Sequence, residues 1–406
     1  ARDSRISSIA ERTESITTSI SAAKDLGQIS LEWPHLLGVG SDLKIAVVEP
    51  NVCIRRTHKD FQWVTFDTPP SSCSLSNGHH STAVAGVLAA IRMIDGSWMG
   101  AGLFRGHLIE SDVTSGALAH DPHLFNMSAT HSPIEVPQLD EAVYSKRTMI
   151  FAGSANGNTN VEGTSCHAYN LTCVGGYGMR GTPEVFGDDV HAPDARWKNP
   201  PSGREEPDLV GPFGVTTAGW QSDTSYASYN GTSFATPAVT GLAGLLVAKH
   251  RAQLDRQPTL MRALLAASAI VHPVNDGDAT RIPIIGDGVD DKTGAGAPNG
   301  DKASDIVEAG TYHAAKVGFS THFDANRKYT SSFSIQAAAG QRVRAALTWD
   351  NCPVNPLSYP NQDALIVDLD LAVRGPNVPI FLPPNPPIVT KLSTQNTKIG
   401  VYKPTV

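Results

Sequence analysis

An α/β fold built on a parallel sheet with helices on both faces, followed by a small all-β domain, is what the sequence predicts. Three observations carry that reading. From Asp42 onward, short apolar runs alternate with helical stretches. The runs are apolar on both faces, as strands are when helices cover both sides of a sheet. Beyond about Gly318 the texture changes to β-rich runs cut by Gly, Pro and Asn.

The elements follow in order. Strands are expected at Lys44–Val48, His107–Val113, Leu124–Met127, Thr148–Ala152 and Leu171–Val174, joined by right-handed crossovers. An Ala/Val/Gly helix is expected over His80–Ile91, and Ala238–Ala248 reads as a buried helix. A further helix after Pro258 carries Leu260, Ala263, Leu264, Ala267 and Ile270. In the tail, Tyr329–Ile335, Arg342–Trp349 and Ile366–Val373 read as strands, and the Pro-rich 376–387 as loop or edge. The first 30 residues carry Ile6, Ile9, Ile16 and Ile20 in a loose helical pattern among polar residues. The domains expected are a helical arm over 1–40, an α/β domain over 41–314, and a jelly-roll-like β-sandwich over 315–406.

Bulk properties narrow the function. A chain of 406 residues exceeds what one hydrophobic core usually supports, which agrees with a large domain plus a smaller one. Hydrophobic residues at 40% and charged residues at 17% argue against disorder. A formal charge of −7, with no basic run, gives no basis for nucleic-acid binding. No apolar stretch reaches the roughly 18 residues of a bilayer span, and the N-terminus lacks the layout of a signal peptide. Localisation stays open, with a secreted or periplasmic setting favoured.

Chemistry concentrates in three segments. In Asn230-Gly-Thr-Ser233-Phe-Ala-Thr-Pro-Ala, small residues precede Ser233 and an apolar helix follows, with Pro237 expected in its first turn. Unpaired N–H groups and the helix dipole at such a position can receive a negative oxygen. A serine hydroxyl needs a base, and His80, in Gly78-His-His-Ser-Thr-Ala-Val-Ala-Gly, supplies one at the expected start of a helix. His79, one residue away, would point elsewhere. A carboxylate at the end of a buried strand should hold the imidazole, and Lys44-Ile-Ala-Val-Val-Glu49 ends on one. The carboxyl ends of parallel strands are where such sheets place their sites.

These segments resemble the acid, histidine and serine blocks of the subtilisin-like serine peptidases, in that order. The resemblance covers about residues 40–310, including Pro207-Asp208 before the serine block and Gly294–Asn299 after it. It implies a subtilisin-like fold and endopeptidase activity on protein or peptide substrates. It further implies that Asn156, in Met149-Ile-Phe-Ala-Gly-Ser-Ala-Asn-Gly, supplies the oxyanion amide. Ser128, Ala129 and Thr130, with Gly153, Ser154 and Ala155, would line the substrate cleft. The acid block departs from the family, which has Asp followed by small residues where this chain has Glu49-Pro50. The extra methylene moves the carboxylate by about one C–C bond. A working Ser-His-Glu triad is the expectation, because the other parts are retained; a weakened or inactive enzyme is the alternative. Leu347-Thr-Trp-Asp350 and Asp368-Leu-Asp-Leu371 resemble the β-sandwich domains appended to some of these enzymes.

Several features stay open at the level of sequence. No cofactor is required for the chemistry. Asp276, Asp278, Asp287, Asp290 and Asp291 could hold a structural calcium or be simply solvated. Of five cysteines, Cys166 could bridge Cys173 and Cys53 could bridge Cys73, or all could be buried thiols, with Cys352 left over. Asn170-Leu-Thr is a glycan acceptor only in a secretory pathway. A separate prosegment or regulatory partner is compatible with the family. A non-catalytic peptide-binding module and an esterase or transpeptidase are the rival functions.

Overall fold

The structure, a computed structural model, describes residues 42–68, 75–89, 106–129, 136–157, 168–178, 190–197, 206–270, 292–315, 343–350 and 397–402, with a few single residues between them. The expected helical arm, the aspartates of 276–291, the 376–387 segment and the strand at Ile366–Val373 lie outside the described residues, and Tyr329–Ile335 mostly does.

The central sheet is mainly parallel, as expected. Its first strand, β1 (Lys44–Val48), lies between β3 (His107–Ser111) and β4 (Leu124–Met127), and β2 (Thr65–Phe66) flanks β3. On the other side β4 is followed by β5 (Met149–Gly153), β6 (Thr172–Gly178) and β8 (Leu209–Pro212), all parallel. The two-residue β7 (Val190–His191) pairs antiparallel with β6 at an edge. The chain therefore leaves β1 first to one side and later to the other, which opens a crevice beyond the carboxyl ends of these strands.

Period-two alternation along β1 sets the two layers. Ile45 and Val47 face one core, shared with α1 (Leu75–Ala89) and α4 (Thr232–Lys249). Ala46 and Val48 face the other, where α2 (Thr114–Leu118) and α3 (Val136–Lys146) contribute Ala117, Leu139, Ala142 and Val143. The helix α4 is buried along almost its whole length, so it has no polar face to show. Strand β8 passes so close to its first turn that a methyl on Gly211 would lie 2.6 Å from the Ala235 carbonyl oxygen. Among the described residues, no helix is long and apolar enough to cross a membrane.

Two local expectations are corrected, and one further element is added. Helix α1 begins at Leu75, so His80 sits more than a turn inside it; its polar first turn gives no apolar periodicity to read. Pro237 lies beyond the first turn of α4, which starts at Thr232, and its missing N–H leaves the Ser233 carbonyl without its usual helical donor. An antiparallel hairpin, β9 (Gly214–Ala218) with β10 (Tyr226–Asn230), sits just before the serine block. It delivers Asn230 and Gly231 directly into α4.

The two segments flanking the hairpin and α4 in the sequence meet in space. The Ala295 N–H donates to the Asp208 carbonyl at 2.8 Å, and the Val210 N–H to the Gly296 carbonyl at 3.2 Å. The chain then continues into α7 (Gly300–Glu308), capped by the Asn299 side chain on the Lys302 N–H. Between them run α5 (Arg251–Leu254) and α6 (Pro258–Ser268), the latter with proline at its start.

From the tail, β11 (Val343–Thr348) pairs antiparallel with β12 (Thr397–Tyr402) and lies against α6. Arg344 donates to the Ala269 and Ala295 carbonyls at 3.0 and 2.7 Å, and the Thr348 hydroxyl to the Thr259 carbonyl at 2.6 Å. Arg262, buried on α6, donates to the Trp349 carbonyl and to Asp350, both at 2.9 Å. Arg147 holds the other oxygen of Asp350.

Candidate active site

Four elements border the crevice, and each brings one functional side chain. Glu49 follows the last residue of β1 and is buried. The Val52 N–H returns to the Glu49 carbonyl at 3.1 Å, and Asn51 has φ of 56°. Proline followed by a positive-φ Asn is the pairing a type II turn favours, so Pro50 fits a chain that must reverse immediately after the carboxylate.

His80 reaches Glu49 from α1, with Nδ1 2.9 Å from Oε2. The Ser81 hydroxyl donates to the same oxygen, also at 2.9 Å. The other carboxylate oxygen, Oε1, is buried with no partner among the described residues. A carboxylate on Nδ1 fixes the tautomer, leaving Nε2 to act as acceptor. The ring is further seated against Phe234, 5.5 Å between centroids, which in turn packs on Tyr229.

Ser233 is the second residue of α4. Gly231 before it has φ of 145°, a conformation only glycine adopts without strain. A side chain there would also lie 3.3 Å from the Asn156 Nδ2. The Ser233 hydroxyl donates to the Ser128 carbonyl at 2.7 Å rather than to His80. Behind Ser128, Asn126 Nδ2 donates to its hydroxyl at 2.8 Å and Thr240 donates to the Asn126 oxygen at 3.2 Å, tying the end of β4 to α4.

Asn156 follows Ala155, which has φ of 76°. Its Oδ1 accepts from the Thr232 N–H at 2.9 Å and from the Thr232 hydroxyl at 3.2 Å. The backbone donor dictates which end of the amide faces Thr232. Nδ2 is thereby left as a donor beside the start of α4, where the first helical N–H groups have no intrahelical acceptor.

The four groups share one cleft of about 580 Å³, also lined by Ser128, Ala129, Gly153, Ala155 and Arg196. Ser154, expected in the lining, is buried instead, because its hydroxyl donates to the Arg196 carbonyl at 2.9 Å. Thr130 lies outside the described residues. Sequence reasoning missed Ser81, Thr232 and Arg196. The first two stand next to the predicted histidine and serine, so adjacency was the available signal; Arg196 offered none.

Cys166 and Cys173 are joined in a disulfide with Cα atoms 5.3 Å apart. Cys53 is also disulfide-bonded, and Cys73 and Cys352 lie outside the described residues. Cys166, Cys173 and Glu206 form the one cluster of metal-ligand type among the described residues, but the disulfide removes the thiolates a metal would need.

The sequence profile of the subtilase family matches residues 42–301, which spans all four groups. This chain belongs to the subtilase family. Subtilisin E of Bacillus subtilis (strain 168) is 28% identical over 248 residues, 55% of this subtilase and 61% of that protein. A subtilisin of Bacillus pumilus is 27% identical over 248 residues and is covered over 84% of its length. The chain thus spans about three fifths of the length of subtilisin E. Among solved structures, the prenylagaramide maturation protease PagA superposes with a TM-score of 0.51 at 18% identity, over 68% of this chain and 96% of that one. The S218A mutant of the PatA protease domain gives 0.50 at 18% identity, over 66% and 97%. At that identity the two support the fold.

The titration of His80 gives this subtilase a testable signature. Burial depresses the basicity of the ring, and the hydrogen bond and charge of Glu49 raise it by more, so the imidazole titrates above its ordinary value. Only the neutral ring can accept a proton. The acid limb of kcat/KM is therefore expected to have its half-point above about 6.5. In Glu49→Ala burial alone remains, and the limb moves below that value; pH profiles of the two proteins check it. Stability runs the opposite way. A raised folded value favours the protonated ring, so the contribution is fully present below the unfolded value and lost as pH rises through the folded one.

Proposed function

We propose that this chain is a serine endopeptidase that cleaves peptide bonds through an acyl-enzyme. The observation that carries the reading is the 2.9 Å contact of Glu49 with His80 in the cleft that also holds Ser233 and Asn156. Rotation about the Ser233 side chain takes its hydroxyl from the Ser128 carbonyl to Nε2 of His80. His80 then removes the proton as Ser233 attacks the carbonyl carbon, and Glu49 stabilises the imidazolium. The Asn156 Nδ2 and the Ser233 N–H receive the oxyanion. His80 passes the proton to the leaving amine, and water, activated by the same ring, releases the acyl group.

The substrate binds extended along Ser128 and Ala129, adding a strand with its backbone hydrogen bonds. Glu49 replaces the family's aspartate without losing the contact to the imidazole, which supports a working Ser-His-Glu triad over an inactive relative.

A fluorophosphonate probe tests the reading. Covalent labelling of the full chain, mapped by peptide mass to Ser233, is expected. An unlabelled chain that still binds peptides would replace the peptidase by a binding module. Labelling with turnover of small esters and no cleavage of proteins would make it an esterase.

A further inference from the structure

Arg196 differs from the other arginines of the described residues. Arg55 pairs with Asp223, Arg56 with Glu110, Arg147 and Arg262 with Asp350, Arg251 with Asp42 and Arg256 with Asp121. Arg344 spans two carbonyls. The guanidinium of Arg196 has no such partner among the described residues, and its Nε is buried without an acceptor. It nevertheless lines the cleft that holds Ser233. Among the described residues of that lining, the only other charged side chain besides His80 is Glu49, whose Oε2 is taken by His80 and Ser81.

The backbone holds this arginine in place. The Arg196 N–H donates to the Ala155 carbonyl at 3.0 Å, the Arg196 carbonyl accepts from Ser154, and the Gly157 N–H donates to the Asp194 carbonyl at 2.6 Å. Residues 194–196 thus run antiparallel beside the segment that carries Asn156, with Asn156 bridged to Ala195. The side chain then lies over Gly157, where a methyl group would meet Nε at 3.4 Å. Gly157 has φ of 105°, so a side chain is disfavoured there twice over. A partly desolvated guanidinium without an anion is costly, and its planar fork is matched by a carboxylate.

We infer that Arg196 selects substrates with a carboxylate side chain on the residue that supplies the scissile carbonyl, so that cleavage falls after Glu or Asp. This rests on the peptidase reading above. The attacked carbonyl oxygen sits at Asn156 Nδ2 and the Ser233 N–H. The Cα of that residue is bonded directly to the same carbonyl carbon. Its side chain therefore starts one bond from the carbon held at Asn156, within reach of the Asn156–Gly157 peptide and of the guanidinium over Gly157. The longer reach of Glu favours it over Asp.

Peptidyl diphenyl phosphonates that differ only in the side chain next to phosphorus (Glu, Gln or Lys) test this, since they modify the nucleophile without needing turnover. Inactivation of the full chain is expected to be about 10-fold or more faster with Glu than with Gln. The ratio falls to near one in Arg196→Gln, is partly kept in Arg196→Lys, and inverts in favour of Lys in Arg196→Glu. A wild-type ratio near one, or a ratio that survives Arg196→Gln, overturns the inference. A general fluorophosphonate run beside the series separates the two levels. Labelling without a Glu preference overturns this inference alone, whereas no labelling by any probe overturns the peptidase reading and this inference with it.

Discussion

Replacing Ser233 or His80 by Ala lowers peptide turnover by about 10⁴-fold or more, and the double variant is little slower than either single one. The reason is that proton removal and attack are one event. Without the hydroxyl the base has nothing to activate, and without the base the hydroxyl is a poor nucleophile at neutral pH. The two losses therefore share a single barrier and do not add. Ser233→Ala leaves the fold intact, because the hydroxyl makes a single hydrogen bond, to the Ser128 carbonyl. Purified proteins compared by kcat on a fluorogenic peptide, with thermal melts as a control, give the answer. Activity in Ser233→Ala above about one hundredth of wild type would place the nucleophile elsewhere.

Asn156→Ala reduces kcat by about 10²–10³-fold with little change in KM, the range known for removing one oxyanion donor, including in a subtilisin. The amide contributes mainly after the carbonyl oxygen has acquired charge, so the ground state hardly registers its loss. A complication is that Asn156 also accepts from the Thr232 backbone and hydroxyl. Asn156→Asp resolves it. The aspartate keeps the acceptor that anchors Thr232 but places a negative charge where the oxyanion must form. A larger loss in Asn156→Asp than in Asn156→Ala assigns the effect to charge in the transition state. Equal rates for Asn156→Asp and wild type would reduce Asn156 to an anchor.

The parts of the site legible in the sequence are those whose chemistry constrains neighbouring residues. A strand buried on both faces must be apolar up to its end, so Glu49 after Ile45–Val48 stands out. Small residues must precede Ser233 because Gly231 occupies a conformation that only glycine adopts without strain. Supports that act across the fold leave no such trace. Arg196 comes beside Asn156 through an antiparallel contact 40 residues away in the chain, and no local pattern announces it. The hairpin of β9 and β10 was hidden for a related reason. Its strands are half exposed and mix Thr, Ser and Tyr, so they lack the continuous apolar signal of the central sheet. The start of α1 was missed because Ser76, Asn77 and Gly78 are residues that more often mark turns.

The strand Val343–Thr348 bears on how this protein should be produced. A chain stopped at residue 314 would strip Arg344 from two carbonyls, Thr348 from a third, and Asp350 from the buried Arg262. Uncovering a buried guanidinium costs several kcal/mol, about 3–5 when a partner is removed outright. The trimmed body would open more often, and the activity proposed above would let intact molecules cleave any that opens. On the proposed peptidase function the strand is thus a brace against self-digestion, and it bears on the shelf life of a preparation as much as on its melting point.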